Sequence, residues 1–220
     1  MEHLTTILYY TSNREGTEFE KRVRENILKV SNGLPIISIS QKPLDFGENI
    51  CIGDVGASGF NMFRQVQLGC MKAKTKFVIS AEADCLYPPD YFSFVPEREN
   101  VCYRDSNVYV MGQWRNYFYK KSEGATHAQI VGREYYLDVL NHLFKDAPEY
   151  SVEEKNFPKE RGYGEDVFAK IEYYQTINPV VQIKTTRSMR HYTHSERIPV
   201  YELPYWGEGK EFRKKYYGDN

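Results

Sequence analysis

The chain contains the stretch Phe77-Val78-Ile79-Ser80-Ala81-Glu82-Ala83-Asp84-Cys85, an apolar run that ends in two carboxylates. β-Branched and aromatic residues in such a run are typical of a strand that is covered on both faces. In open α/β sheets, ligands bind beyond the carboxyl ends of these strands, where Glu82 and Asp84 fall. Residues i and i+2 of an extended segment point to the same side, so we expect the two carboxylates to converge on one cation.

A hard divalent cation is the ligand that we expect the carboxylates of Glu82 and Asp84 to bind. Mg²⁺ and Mn²⁺ prefer oxygen ligands, and Mg²⁺ takes one or two protein carboxylates and completes its shell with water and substrate phosphate. The alternative interpretation of Glu82 and Asp84 is a solvated, acidic junction between a strand and a loop.

Composition limits the class of protein. With 220 residues, of which 41% are hydrophobic and 27% charged, the chain can bury the core of one domain. It has no apolar run of about 18 residues and its first residues lack a signal-peptide layout, so we expect no membrane association and a cytoplasmic location. The four cysteines have no metal-binding or disulfide spacing and are expected to be reduced. A net charge of -1 gives no global reason to expect nucleic acid.

The first half of the chain alternates strand and helix patterns. Apolar, β-branched runs predict three strands, and 3.6-residue periodicity predicts two helices between them, the first introduced by Thr17 and Glu20 as a capping box. This order predicts a mostly parallel, Rossmann-like sheet flanked by helices. The predicted strands are 5–10, 35–40 and 76–80, the helices run from 17 to about 32 and from 58 to about 71, and 41–56 is a loop.

The second half has a smaller, mixed pattern. Its elements are predicted as strands at 101–104, 106–111 and 180–184 and as helices at 133–144 and 165–174. We expect one domain over 1–220, with two halves (1–100 and 101–200) and a tail (201–220) that becomes ordered in part only on binding a partner.

Two further groups of residues are candidates for a functional role. Glu165 and Asp166 follow the glycine-rich segment Gly162-Tyr163-Gly164, which lets backbone approach a ligand closely, although either acid is also a reasonable helix cap. His191 and His194 lie three residues apart and either is a candidate metal ligand, with surface histidines as the alternative interpretation. His127 and His142 have no comparable context and are interpreted as incidental.

In their order and spacing these motifs resemble GT-A fold glycosyltransferases, closest to the family 2 type. The resemblance spans residues 5 to 195 and rests on Thr11-Ser12-Asn13-Arg14, the Gly56-Ala57-Ser58-Gly59 segment before a helix bearing Arg64, the Glu82-Ala83-Asp84 triplet, Leu86-Tyr87-Pro88-Pro89-Asp90, Gly164-Glu165-Asp166 and the late histidines.

The resemblance implies roles for these residues. Asp84 would hold Mn²⁺ or Mg²⁺ on the diphosphate of the donor, and Glu82, where the family more often has aspartate, would bind the metal, a metal-bound water or the ribose. Asp166, or else Glu165, would deprotonate the acceptor, and His191 or His194 would complete the metal site. Thr11 and Asn13 would meet the nucleobase and ribose, and Arg64 would also bind the donor. Residues 1–100 would thus be the nucleotide-sugar-binding half and 101–200 the acceptor-binding half. Ser40-Gln41 stands where family members often have an aspartate that binds uracil, so the resemblance does not determine the nucleobase of the donor.

The resemblance implies an inverting, metal-dependent transfer of sugar from a nucleotide-sugar, most simply a UDP-sugar, to an acceptor hydroxyl. The 19 tyrosines and 12 phenylalanines would suit stacking on a saccharide, on a nucleobase, or simply the filling of a thin core. A phage-type enzyme acting on hydroxymethylated DNA bases is therefore an alternative. A nucleotidyltransferase and an inactive binding module are the alternatives from other classes.

Overall fold

The structure is a computed structural model that describes residues 3–122, 124–153, 167–189 and 194–218. Its strands are β1 (Thr5–Thr11), β2 (Ile36–Ser40), β3 (Glu48–Cys51), β4 (Phe77–Glu82), β5 (Cys85–Leu86), β6 (Cys102–Asp105), β7 (Val108–Gly112), β8 (Tyr119–Lys120), β9 (Gln129–Gly132), β10 (Ile171–Tyr174), β11 (Val180–Lys184), β12 (Glu202–Leu203) and β13 (Gly207–Glu208). The helices are α1 (Thr17–Val30), α2 (Gly59–Lys72), α3 (Arg133–Leu143) and α4 (Gly209–Tyr216).

The largest sheet has the strand order β10-β6-β9-β4-β1-β2-β3. β1 pairs in parallel with both β2 and β4, and β2 pairs in parallel with β3, whereas β9 runs antiparallel between β4 and β6. In this register Tyr10 lies beside Glu82 and Thr11 lies beside Ser40. The carboxyl ends of β1, β2 and β4 therefore meet at one edge, as the sequence predicts.

Two apolar layers cover this sheet. Ile7 and Tyr9 of β1 pack with the buried side of α1, whereas Leu8 and Tyr10 pack with α2 and α3. Because side chains alternate along a strand, β1 is buried on both faces, which is why the strand reads as a continuous apolar run. The predicted α/β architecture, a mainly parallel sheet between helices, is confirmed.

A smaller sheet of order β5-β11-β7-β8 lies beside the large one. β11 pairs in parallel with β7 and antiparallel with β5, which directly follows the β4 turn. The strand β11 thus brings the later half of the chain to the acidic stretch at 82–84.

The C-terminal segment differs from the expected partly ordered tail. Residues 202–208 form the β12–β13 hairpin and 209–216 form α4. Phe212 is buried against Phe118 and Trp206, with ring centroids 5.2 and 5.4 Å apart. Three aromatic side chains supply enough apolar area to order this segment within the chain itself.

Three sequence predictions of local structure were wrong. The expected capping box of Thr17 and Glu20 does not form, because Gly16 is the N-cap of α1 without a side-chain cap and Glu20 accepts from Thr11 instead. Residues 171–174, expected as the end of a helix, form β10, because Ile171, Tyr173 and Tyr174 favour a strand and pair with β6. The expected loop at 41–56 contains β3. None of the helices in the described ranges is long and apolar enough to cross a membrane.

Candidate active site

Asp84 lies in the turn between β4 and β5 and is held from several directions. Its backbone carbonyl accepts a 2.8 Å hydrogen bond from the Ile183 N–H of β11. Its carboxylate accepts from the Gln182 amide (Nε2 to Oδ2, 2.9 Å) and the Cys85 thiol (Sγ to Oδ1, 3.2 Å), and the Lys184 ammonium is 3.9 Å from Oδ2. The carboxylate is therefore fixed at the junction of the two sheets.

Glu82 ends β4 and has a separate set of partners. The Tyr10 hydroxyl donates to its Oε1 at 3.0 Å, and its backbone N–H donates to the Tyr87 hydroxyl at 2.9 Å. Burial, followed by the negative charge of Asp84, raises the pKa of Glu82 to about 7, and the positive charge of Lys184 opposes this shift. Because β4 stops at Glu82, Asp84 is not the i+2 residue of an extended strand, and the joint binding of one cation stays a prediction.

Two lysines bring positive charge to these acids. Lys184 is the last residue of β11, and its side chain is only 13% exposed. Lys121 follows β8 and donates its backbone N–H to the Val108 carbonyl at 2.9 Å. Burial lowers the pKa of Lys121, and repulsion by Lys184 lowers it further. An anionic ligand at this place would be stabilised by both cations.

His127, which sequence reasoning interpreted as incidental, is buried beside Glu82 and Cys85. The possible ligand atoms of these three side chains all lie within 4.8 Å of one another. Burial lowers the pKa of His127 well below its usual value, and the positive charge of Lys121 adds to this effect. The sequence has no signal for this proximity, because it arises from the antiparallel pairing of β9 with β4.

Thr11 and Asn13 lie at the carboxyl end of β1, as predicted. The Thr11 hydroxyl donates to Glu20 at 3.0 Å, and the Asn13 side-chain oxygen accepts from the backbone N–H groups of Gln41 and Lys42 at 2.9 and 2.8 Å. The two bonds to Asn13 join the loops after β1 and β2, and the bond of Thr11 joins the end of β1 to α1. Contact of Thr11 and Asn13 with a nucleobase or ribose stays a prediction.

A second bond joins the loop after β1 to the end of β11. The Thr185 hydroxyl donates to the Glu15 carboxylate at 2.6 Å, and burial raises the pKa of that carboxyl group. The ends of β1, β2, β4 and β11 thus form one continuous border around Asp84.

Arg64, predicted to take part in nucleotide binding, faces the loop after α3. Its guanidinium donates to the Pro148 carbonyl at 2.6 Å and to the Gln67 side chain at 2.9 Å, and it lies 4.0 Å from the centroid of Phe144. These partners are not part of the acidic stretch. The neighbouring Gln65 instead donates to the Thr11 carbonyl at the strand ends, at 2.8 Å.

The other predicted site residues are described only in part. Glu165, Asp166 and His191 lie outside the described residues. His194 is exposed, and its backbone carbonyl accepts from the Ser122 N–H at 3.1 Å. Ser195 forms a β-bridge with Lys121, which places the backbone after His194 next to one of the lysines of the site.

The chemistry of the donor set at Asp84 fits a cation that arrives with phosphates. A carboxylate has about four lone-pair positions, and the described side-chain partners of Asp84 are an amide, a thiol and an ammonium group, each of which donates. Lone pairs of Asp84 therefore remain for Mg²⁺ or Mn²⁺, which needs only one or two protein carboxylates.

No family model and no curated protein matches the chain in sequence. The fold is similar to that of the solved glycosyltransferase GlyE of Streptococcus pneumoniae TIGR4, with a TM-score of 0.51 and 8% identity. This match covers 97% of the chain and 60% of the GlyE chain, so the protein spans less than two thirds of that relative.

Two further solved structures match at lower TM-scores. A glycosyltransferase involved in the glycosylation of the major capsid of PBCV-1 has a TM-score of 0.48 and 14% identity, over 82% of this chain and 92% of the other. An inositol-1-phosphate CTP transferase from T. maritima has a TM-score of 0.46 and 10% identity, over 82% and 89%. The similarity to GlyE confirms that the fold is GT-A-like.

Proposed function

We propose that the protein is a nucleotide-sugar-dependent glycosyltransferase that inverts the anomeric centre. The observation that carries the proposal is the fixed Asp84 carboxylate at the carboxyl edge of a GT-A-like sheet, with Lys184 at 3.9 Å. Ligands of open α/β sheets bind at this edge. A carboxylate beside a lysine there suits a diphosphate that arrives with a divalent cation.

Asp84 is the proposed protein ligand of this cation, Mn²⁺ or Mg²⁺, and His191 or His194 the proposed second. The bound cation would supply positive charge where negative charge develops on the leaving diphosphate. Lys184 and Lys121 would add to that stabilisation directly, because their partly desolvated ammonium groups interact with anions more strongly than exposed lysines do.

Asp166 is the proposed general base, with Glu165 as the second choice. A carboxylate on the face of the sugar opposite the diphosphate would accept the proton of the acceptor hydroxyl as that oxygen attacks. Such proton transfer contributes a factor of about 10² to 10⁴ in rate. Thr11 and Asn13, at the end of β1, would border the ribose and the base of a UDP-sugar donor.

A saccharide is the proposed acceptor. Arg115 donates to the hydroxyls of Tyr117 and Tyr119 at 3.0 and 2.9 Å, and Tyr201 packs edge-to-face on Tyr117 at 5.8 Å. Trp114, 56% exposed, lies next to this group in the sequence. Rings held by hydrogen bonds offer apolar faces on which a sugar can stack. A hydroxymethylated DNA base is the alternative acceptor.

A turnover assay tests the proposal. The wild-type protein is incubated with Mn²⁺ and a panel of UDP-sugars, with and without oligosaccharides or hydroxymethylated DNA, and products are identified by mass spectrometry. Sugar transfer, or release of UDP by hydrolysis, is expected for one donor. Pyrophosphate release from a nucleoside triphosphate with no UDP-sugar turnover would instead identify a nucleotidyltransferase, and no turnover of either kind would contradict an active enzyme.

Two variants test whether turnover depends on the Asp84 carboxylate. Asp84→Asn is expected to lower turnover by about 10²- to 10³-fold, the typical loss when a group that stabilises developing charge is removed. The matched control is Asp138→Asn, which makes the same change on the exposed side of α3 and should retain wild-type turnover. Equal rates in the wild type and Asp84→Asn would contradict the assignment.

A further inference from the structure

We propose that Glu82, Cys85 and His127 form a buried Zn²⁺ site that is distinct from the place of the donor's cation. The three residues come from separate segments: the end of β4, the start of β5 and the loop before β9. His127 has no part in the proposed sugar transfer, and the only link of Cys85 to it is the hydrogen bond from its thiol to Asp84.

The three possible ligand atoms lie close enough together to approach one small cation. One ligand atom from each residue lies within 4.8 Å of the other two. Zn²⁺ binds sulfur at about 2.3 Å and nitrogen or oxygen at about 2.0–2.2 Å, so the ligand atoms of a tetrahedral site lie roughly 3.3–3.8 Å apart, about 1 Å closer together than the 4.8 Å limit found here. Small side-chain rotations would bring all three to Zn²⁺, leaving a fourth position for water.

His127 has the strongest individual signature of a ligand. The residue is only 4% exposed, and among the described residues its Nε2 atom has no hydrogen-bond partner. A buried polar atom without a partner is unfavourable, because its loss of hydration is not compensated. Coordination of Zn²⁺ through Nε2 would satisfy this atom, since imidazole nitrogen is a common metal ligand.

The ligand types select the metal. Thiolate and imidazole favour Zn²⁺ over Mg²⁺ and Mn²⁺, which prefer oxygen. On binding, the Cys85 thiol releases its proton to solvent and loses its hydrogen bond to Asp84, and the thiolate and the Glu82 carboxylate together balance the two charges of Zn²⁺. The surrounding charged groups are Asp84, which favours the cation, and Lys121, Lys184 and Arg104, which oppose it.

A cation here would hold the Asp84 turn in place. Glu82 and Cys85 flank that turn on either side, and His127 belongs to a different segment, so one metal would cross-link them. Glu82 would then serve the buried site, and Asp84 would be the protein carboxylate that remains for the donor. The inference does not depend on sugar transfer.

Metal analysis tests the site without any assay of turnover. The full-length protein is loaded with Zn²⁺, dialysed, and analysed by elemental mass spectrometry. One Zn²⁺ per chain is expected, and Co²⁺ in its place should give a near-ultraviolet thiolate-to-cobalt charge-transfer band. A wild-type protein that holds no Zn²⁺ and shows no such band would overturn the proposal, and this outcome needs no variant to fold.

Variants then identify the ligands. Cys85→Ser and His127→Gln should each weaken Zn²⁺ binding by more than the roughly 10- to 100-fold that is typical when only an outer-shell partner is removed. The control is Cys70→Ala, since Cys70 is equally buried but lies on α2 in the other core layer, and it should bind Zn²⁺ as the wild type does. Full retention of Zn²⁺ and of the cobalt band in Cys85→Ser, or their loss in Cys70→Ala, would contradict the assignment.

Discussion

Glu82→Gln should remove part of the pH dependence of the protein's stability. The pKa of Glu82 rises from 4.5 in an exposed chain to about 7 in the folded protein. Between these values the native state binds more protons than the unfolded state, so the free energy of unfolding falls as pH rises from 4.5 to 7 and is level above that. A pKa shift of one unit corresponds to about 1.4 kcal/mol. The shift of Glu82 therefore lowers the free energy of unfolding above pH 7 by at most about 3 kcal/mol.

The expected effect is smaller because Glu82 retains some exposure and water screens its charge. We expect the free energy of unfolding of Glu82→Gln to equal that of the wild type near pH 4.5. At pH 8 it should be higher by about 1–2 kcal/mol, which corresponds to a rise of roughly 2–8 °C in Tm. The glutamine oxygen can still accept the hydrogen bond from Tyr10, so packing is retained.

Urea unfolding measures this difference in metal-free protein with a chelator present. The fluorescence of Trp206, which is 9% exposed, reports the transition. Glu97→Gln is the control, because Glu97 is exposed and should leave the pH profile unchanged. Glu15, Glu20 and Asp105 also have pKa values raised by burial, so the informative quantity is the difference between variant and wild type at each pH. Parallel profiles for Glu82→Gln and the wild type would refute the reasoning.

Two substitutions, each with an exposed or unhindered control, test the packing of the fold. Phe212→Ala should destabilise the protein by about 3–5 kcal/mol, because the ring is 1% exposed, whereas Ile198→Ala, at a side chain that is 71% exposed, should stay within about 0.5 kcal/mol. Gly132→Ala should cost about 1–3 kcal/mol or more, since its Cβ would lie 1.8 Å from the Glu99 carbonyl, whereas Gly16→Ala has open space and should cost less than about 1 kcal/mol. Thermal unfolding of each pair checks both statements, and equal Tm values within a pair would contradict them.

Local sequence patterns predicted the centre of the fold because they report burial. β4 and the first strands were visible since both faces of these strands are covered, and Ser58 preceded a helix as expected, accepting a hydrogen bond from the Asn61 N–H at 3.0 Å. The position of Asp84 at the carboxyl edge follows from the same pattern.

The remaining features depend on pairing between distant segments, which local patterns do not encode. β9 is four residues long and antiparallel to β4, and this pairing brings the preceding loop with His127 to Glu82, where the Tyr87 hydroxyl accepts from the Glu82 N–H and donates to the His127 carbonyl. Arg64 falls on the predicted helix, but its direction is set by the Pro148 carbonyl and the Phe144 ring. The C-terminal segment reads as polar and charged, and its order comes from a few large aromatic side chains such as Phe212.

Calorimetric titration of UDP into the protein tests the central claim, that Asp84 at the carboxyl edge of the sheet holds a cation for a nucleotide diphosphate. The wild type should bind UDP in the presence of Mn²⁺ and much more weakly with a chelator. Asp84→Asn should bind UDP weakly under both conditions, while Asp138→Asn behaves as the wild type. Equal, Mn²⁺-dependent binding by the wild type and Asp84→Asn, or no binding of UDP by the wild type, would contradict the account.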